Sequence, residues 1–111
     1  MLSIDHVPNT ISVRAALTAS DVDERATVHY KTTDALTVAS ITRAIAATPE
    51  HPGGGGADLR YAIVITDAHG MTERIYLDAF GLRGIINGRA VRFANDGIKR
   101  AIVKAYPKLA E

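Results

Sequence analysis

The side chains that most often do chemistry in proteins are few in this chain and lie far apart in its sequence. There is no cysteine, and the four histidines have neither the spacing of a helical metal pair nor that of a zinc knuckle: His6, His29, His51 and His69. Asp67 and His69 are close, but they stand in a tight-turn sequence that already accounts for the aspartate. No serine has the glycine frame of a nucleophile elbow. The sequence therefore predicts no catalytic residue, no metal site and no cofactor, and it favours a non-enzymatic protein.

One low-complexity patch has the backbone freedom to wrap an anion. The run His51-Pro52-Gly53-Gly54-Gly55-Gly56 offers amides that a phosphate can approach closely. It lacks the Lys-Ser/Thr that follows in a phosphate-binding loop, and it lacks the strand-then-helix context of a dinucleotide site. We therefore interpret the run as a connector between two elements.

Charge is distributed unevenly along the chain, although the net charge is only +1. Residues 1–58 carry seven acids and four bases, whereas residues 59–111 carry nine bases and five acids. Two oppositely charged parts favour recognition of a charged partner. Because loops and strand ends can be rebuilt without disturbing a core, the predicted partner-binding residues are those of an acidic loop and of a basic loop and strand: Asp21, Asp23, Glu24, Arg83, Arg89 and Arg92.

Length and composition indicate a single domain over residues 1–111, large enough to bury a core without disulfides. The first residues have neither the basic nor the apolar segment of a secretory signal, and no apolar run approaches the ~20 residues that span a bilayer. With the lack of cysteine, these features favour a soluble, cytoplasmic protein that does not contact membranes. The oligomeric state stays open.

The clearest structural pattern is a β-hairpin over residues 59–80. Apolar residues alternate from Leu59 to Thr66, and Asp67-Ala68-His69-Gly70 has the acceptor and the glycine of a type I turn closed by a left-handed residue. With Asp67 facing Met71, one face is almost wholly apolar and the other carries an opposite-charge pair. The predicted pairs are Ile65 with Glu73, Ile63 with Ile75, Tyr61 with Leu77 and Leu59 with Ala79, then Thr66 with Thr72, Val64 with Arg74, Ala62 with Tyr76 and Arg60 with Asp78.

The remaining patterns complete an α+β fold of order ββαβββα. The predicted elements are two strands within 11–17 and 26–31 joined by a polar loop over 19–25, a helix from a Thr33 or Asp34 cap to Thr48, a strand over 89–93 after the Asn87-Gly88 turn, and a helix over 96–106 capped by Asn95. The first helix is almost uncharged, so we expect it to be deeply buried or part of an interface. The simplest architecture is an antiparallel sheet of about five strands with both helices packed on one face.

The pattern nearest to a family motif is Tyr76-Leu77-Asp78-Ala79-Phe80-Gly81 followed by Ile86-Asn87-Gly88. In type, this short, cysteine-free α+β chain resembles the immunity proteins of bacterial contact-dependent and other polymorphic toxin systems. The resemblance implies a cytoplasmic protein that binds a cognate toxin domain, encoded nearby, and neutralises it by occluding its active cleft. Immunity proteins against nucleases are often strongly acidic and this chain is not, which leaves the activity of the toxin open.

Two other functions stay open from the sequence. The basic second half favours a nucleic-acid-binding domain, but the chain has only six aromatic residues for base stacking and no recognition-helix pattern. A small enzyme whose site is assembled from residues distant in sequence is the other alternative, because a catalytic site is recognised by geometry.

Overall fold

The computed structural model describes residues 1–8, 15–53 and 57–111, which form an antiparallel sheet with helices on both of its faces. Within these ranges the strands are β1 (Leu2–His6), β2 (Val28–Thr32), β3 (Glu50–Pro52), β4 (Leu59–Thr66), β5 (Thr72–Asp78), β6 (Arg83–Ile86) and β7 (Arg89–Phe93), and the helices are α1 (Ala19–Arg25), α2 (Ala35–Ala47) and α3 (Gly97–Ala105), followed by a 3-10 turn over Pro107–Ala110. The spatial order of the strands is β2-β1-β4-β5-β6-β7-β3. The predicted α+β class with an antiparallel sheet is confirmed.

The hairpin of β4 and β5 has the predicted register over most of its length. Thr66 pairs with Thr72, and the ladder continues in register to Tyr61 opposite Leu77. The turn is also as predicted: the Gly70 amide donates to the Asp67 carbonyl at 3.1 Å, and Gly70 has φ +79°. Alternation and turn chemistry together were therefore sufficient to fix this register.

The outer end of the hairpin was predicted wrongly. A bulge lies between Leu59 and Tyr61, so Leu59 pairs with Asp78, and the predicted pairs of Leu59 with Ala79 and Arg60 with Asp78 do not form. The Arg60 guanidinium instead donates to Asp58 Oδ2 at 3.1 Å and to the Pro8 carbonyl at 3.1 Å. A bulge adds one unpaired residue and redirects its side chain, which here buries Arg60.

The main core lies between one face of the sheet and the pair of helices α2 and α3. Strand alternation sends Ile4, Tyr61, Ile63, Ile75 and Leu77 to this face, where all are fully buried. The helices contribute Ile41 from α2 and Ile98 and Ile102 from α3. This layer corresponds to the predicted packing of two helices on one face.

Helix α1 forms a second, smaller core on the opposite face. Val22 packs there with Ala62 and Tyr76, which alternate with the main-core residues on β4 and β5. The predicted loop over 19–25 is therefore wrong. Thr18 and Asp21 form a capping box that starts this helix: the Thr18 side chain accepts from the Asp21 amide, and the Asp21 carboxylate accepts from the Thr18 amide.

Three strands and one part of a predicted strand differ from the sequence interpretation. The strands β1, β3 and β6 were missed: β1 lies inside the sheet between β2 and β4, β3 has only three residues at an edge, and β6 lies between β5 and β7. Of the strand predicted over 11–17, residues 11–14 lie outside the described ranges, and residues 15–17 are not in a strand. Gly54–Gly56 of the glycine run also lie outside the described ranges.

The predicted helix over residues 34–48 is confirmed in its bounds but not in its burial. Asp34 is the N-cap, accepting from the Thr37 amide at 2.9 Å, and the helix ends before Thr48. Ile41 is buried, whereas Leu36 is 83 % exposed. Helix α2 therefore forms an outer layer over the sheet.

None of the helices in the described part of the chain is long and apolar enough to cross a membrane.

Candidate functional site

A row of basic side chains crosses the end of the sheet on the face opposite α2 and α3. Arg83 on β6 lies directly across from Arg92 on β7, and Arg92 lies across from His51 on β3. All three residues are exposed. Among the described residues, no hydrogen bond or ion pair involves the side chain of either arginine. We call Arg83, Arg92 and His51 the basic row.

The basic row has an energetic cost in the protein alone. Like charges directly opposite one another on an antiparallel ladder destabilise the pairing, by amounts comparable to the ~0.2–1 kcal/mol that opposite charges contribute. The strand register fixes the Arg83–Arg92 pairing, because the Asn87-Gly88 turn places Ile86 opposite Arg89 and sets every later pair. The two guanidinium groups are thus held side by side on a rigid ladder, an arrangement suited to a partner that presents carboxylates or phosphates.

The third arginine predicted for this surface lies elsewhere. Arg89 is two residues before Val91 and four before Phe93, so it lies on the same face of β7 as these two core residues, opposite to the face of Arg92. There its guanidinium lies 3.4 Å from the Glu50 carboxylate. The apolar residues Val91 and Phe93, at every second position after Arg89, are a sequence signal that could have placed Arg89 and Arg92 on different faces of the strand.

The three predicted acidic residues stand on α1 and have different roles. Asp21 accepts hydrogen bonds from the Thr18 amide and hydroxyl, and these bonds lower the pKa of its carboxyl. Asp23 accepts a hydrogen bond from the Tyr76 hydroxyl at 3.1 Å. Glu24 is exposed and forms no ion pair within the described ranges. Two of the three acids therefore stabilise this fold, which makes them weaker candidates for partner contacts.

Tyr76 marks the boundary between α1 and the open part of the sheet. Burial raises the pKa of its hydroxyl, and the neighbouring Asp23 carboxylate raises it further, whereas Arg74 opposes both effects. Beside it, Ile85 is half-buried and lies between Tyr76 and Ala90 in the register. The surface next to the basic row is therefore a mixture of apolar side chains and fixed polar groups.

A second turn, which the sequence interpretation did not identify, carries two exposed apolar residues and leads directly into Arg83. It follows β5 and runs from Asp78 to Leu82, and the Phe93 amide donates to the Leu82 carbonyl at 2.8 Å. Phe80 is 70 % exposed and Leu82 is 42 % exposed. Its sequence, Asp78-Ala79-Phe80-Gly81, matches Asp67-Ala68-His69-Gly70 at three of four positions, and that match is the signal that could have predicted it.

His6 is a buried histidine that is part of the fold. The His6 ring stacks on Tyr61 with centroids 4.1 Å apart, and its Nδ1 and Nε2 lie 3.0 Å and 3.1 Å from the main-chain oxygens of Arg60 and Glu111. Burial lowers the pKa of this imidazole, and the positive charges of Arg60 and Lys99 lower it further, against the two hydrogen bonds.

Three shallow depressions lie on the described surface. The one between α2 and α3 has Lys104 as its titratable side chain. A second, at the β3 edge, is lined by Glu50, His51 and Arg89, and a third, along α3, is lined by charged residues: Asp96, Lys99, Arg100 and Lys104. Within residues 1–8, 15–53 and 57–111, no three histidine or acidic side chains converge to hold a metal ion. Comparison with protein-family models, curated proteins and solved structures gives no match for this chain.

Proposed function

We propose that this chain is a non-enzymatic protein-binding module whose basic row binds an acidic surface of a protein partner. In the form that its resemblance to immunity proteins suggests, the partner is a cognate toxin domain, and binding neutralises the toxin by occlusion. The observation that carries the proposal is the exposed pairing of Arg83 with Arg92 on neighbouring strands. A like-charge pair that costs stability in the free protein is accounted for by an anionic surface that it contacts in a complex.

The geometry supports a binding role in two further ways. The arginines project from a paired sheet, so little backbone freedom is lost when they contact a partner. Carboxylates on the partner would form charge-assisted, bidentate contacts with each guanidinium, and the local positive potential would speed encounter. When a partner binds at this end of the sheet, the rigid surface of the sheet would cover the acidic cleft of that partner.

The experiment uses charge reversal at one member of the pair. Arg92→Glu replaces the repulsive pair with an attractive one, so we expect the free energy of unfolding to rise by ~0.2–1 kcal/mol. The same change should weaken binding to the purified product of the adjacent gene by at least about 10-fold. Opposite signs for stability and binding distinguish loss of an interface from damage to the fold.

A matched control reverses a charge away from this surface. Arg43 is an exposed arginine on α2, in the helical layer on the other side of the sheet. Arg43→Glu changes the net charge equally, and we expect it to change the affinity less than about 2-fold at physiological salt. Equal losses from both variants would show that net charge, and not the basic row, governs binding, and this result would overturn the proposal.

Nucleic-acid affinity is the result that would favour the main alternative. RNA or DNA binding by a basic surface falls steeply with salt, because counterions are released from the phosphates. If the chain binds RNA or DNA with such a salt dependence and does not bind the neighbouring gene product, the protein-binding proposal is wrong. Turnover of a substrate by the purified chain would instead favour the enzymatic alternative.

A further inference from the structure

The turn between β5 and β6 shares its main features, though not every hydrogen bond, with the turn between β4 and β5. In both, the glycine amide donates to the aspartate carbonyl, at 3.1 Å from Gly70 to Asp67 and at 3.2 Å from Gly81 to Asp78. Both glycines have positive φ, +79° and +71°. In both, the aspartate carboxylate accepts from two later amides of the turn. Aspartate and glycine therefore account for the formation of either turn.

The third position is where the two turns differ. His69 occupies it in the first turn and Phe80 in the second, and both are exposed. Because the first turn forms with a histidine, the turn geometry does not require an aromatic hydrocarbon ring at this position. Phe80 is 70 % exposed, so it contributes little to the core of the free protein. A large apolar side chain that the fold does not use is a candidate for a contact in a complex.

The second turn is held more firmly than the first. The Lys99 ammonium on α3 donates to the Ala79 carbonyl, and the Gly81 backbone lies against the Lys99 side chain so closely that an added Cβ would meet Lys99 Cβ at 2.6 Å. At Gly70 an added Cβ would meet nothing within 4 Å. Phe80 is therefore presented from a turn packed on a helix, which lowers the entropy lost when the ring is immobilised by a partner.

The turn is continuous with the basic row. The Arg83 amide donates to the Asp78 carboxylate, and Leu82 joins the turn to the end of β7 just beyond Arg92. Phe80 thus lies three residues before Arg83 in the chain, and an exposed aromatic residue close in sequence to surface arginines has the composition of an interface hot spot, where both residue types are enriched.

We infer that Phe80 is the apolar anchor of this interface and inserts into an apolar pocket, rimmed by carboxylates, on the protein partner. This inference rests on the proposed protein-binding function and adds the residue that supplies most of the affinity. In this arrangement the ring desolvates the centre of the contact, and the basic row orients the partner at its rim.

The test replaces Phe80 with the residue of the first turn. Phe80→His converts the second turn into the Asp-Ala-His-Gly sequence that already folds in this protein, so we expect an unchanged denaturation midpoint. Binding to the purified product of the adjacent gene should weaken at least about 30-fold, as expected for an aromatic hot spot. Phe80→Leu, which keeps an apolar side chain, should recover part of the affinity.

The matched control is the same replacement at an equally exposed apolar residue. Leu36 on α2 is 83 % exposed on the other side of the sheet, and we expect Leu36→His to leave the affinity unchanged. If Arg92→Glu weakens binding and Phe80→His does not, the inference that Phe80 is the apolar anchor is wrong, whereas the proposed role of the basic row is supported. If neither variant weakens binding, both the anchor and the proposed function are wrong.

Discussion

Removing one hydroxyl should reveal how the chain after α3 is fixed to the sheet. Tyr61 is fully buried at the centre of β4, and its hydroxyl donates to the Leu109 carbonyl at 2.6 Å. Leu109 is itself fully buried in the 3-10 turn that follows α3. The substitution Tyr61→Phe keeps the ring that stacks on His6 and deletes the hydroxyl that donates to this carbonyl.

The expected magnitude follows from the burial of the acceptor. A buried carbonyl that loses its donor is left without a compensating bond, which costs about 1–3 kcal/mol. Small domains have a total stability of only about 5–15 kcal/mol, so this is a large fraction. At about 4 °C per kcal/mol for a chain of this size, the melting temperature should fall by ~4–12 °C.

Urea denaturation followed by circular dichroism measures the effect, with the slope of free energy against urea compared between variants. Tyr30→Phe is the control, because Tyr30 also stacks on an aromatic ring, that of Tyr106, and its hydroxyl donates no hydrogen bond to the described residues. We expect the control to change stability by less than about 0.5 kcal/mol. If Tyr61→Phe is as mild as Tyr30→Phe, the Leu109 contact does not stabilise the fold and the reasoning is refuted.

Three other predictions concern the core, the buried histidine and the two turns. Ile41→Ala should cost about 2–5 kcal/mol because Ile41 is fully buried, whereas Ile45→Ala, at a half-buried position, should cost less than half as much in the same denaturation assay; equal costs would contradict the assigned packing. Because burial holds the pKa of His6 below its ordinary value of 6.5, the unfolded chain takes up this proton first as pH falls, so stability should decline from about pH 6.5 towards the folded-state pKa. Urea midpoints between pH 8 and 5 and an NMR titration of the ring measure this, and a gain in stability on acidification would be inconsistent with it. Gly81→Ala should destabilise the protein more than Gly70→Ala by at least about 1 kcal/mol, since both glycines have positive φ but only a Cβ at Gly81 clashes with α3. Equal melting temperatures of the two variants would argue against the close packing of Gly81 on Lys99.

Local sequence patterns predicted the central hairpin and the bounds of α2, although they missed α1 and the turn at Asp78 to Gly81. Alternation from Leu59 to Thr66 and the turn at Asp67 to Gly70 predicted six cross-strand pairs of the central hairpin. The same logic at Asn87-Gly88 implies that Arg83 lies opposite Arg92, because a two-residue turn fixes the register of both strands. Asp34 and Thr48 marked the ends of α2 for the same local reason, the capping of the first amides and the end of the periodic pattern.

Features that depend on residues distant in sequence form only when the sheet and its helices pack together. The strand β1 gains its central place by pairing with both β2 and β4, a contact that its own five residues do not specify. The bulge at Arg60 forms where that residue meets Asp58 and the Pro8 carbonyl, so alternation alone misplaced it.

The candidate functional surface likewise combines features that the local sequence indicates with features that arise only in the folded protein. The sequence indicated its arginines but not the strand β6 that pairs Arg83 with Arg92, and the position of His51 beside Arg92 follows from the pairing of β3 with β7 across about 40 residues of chain. The exposure of Phe80 likewise depends on Lys99, which holds the turn from α3. Periodicity and turn chemistry are properties of adjacent residues and can be deduced from the sequence, whereas burial and the approach of distant charges exist only once the sheet and its helices have packed.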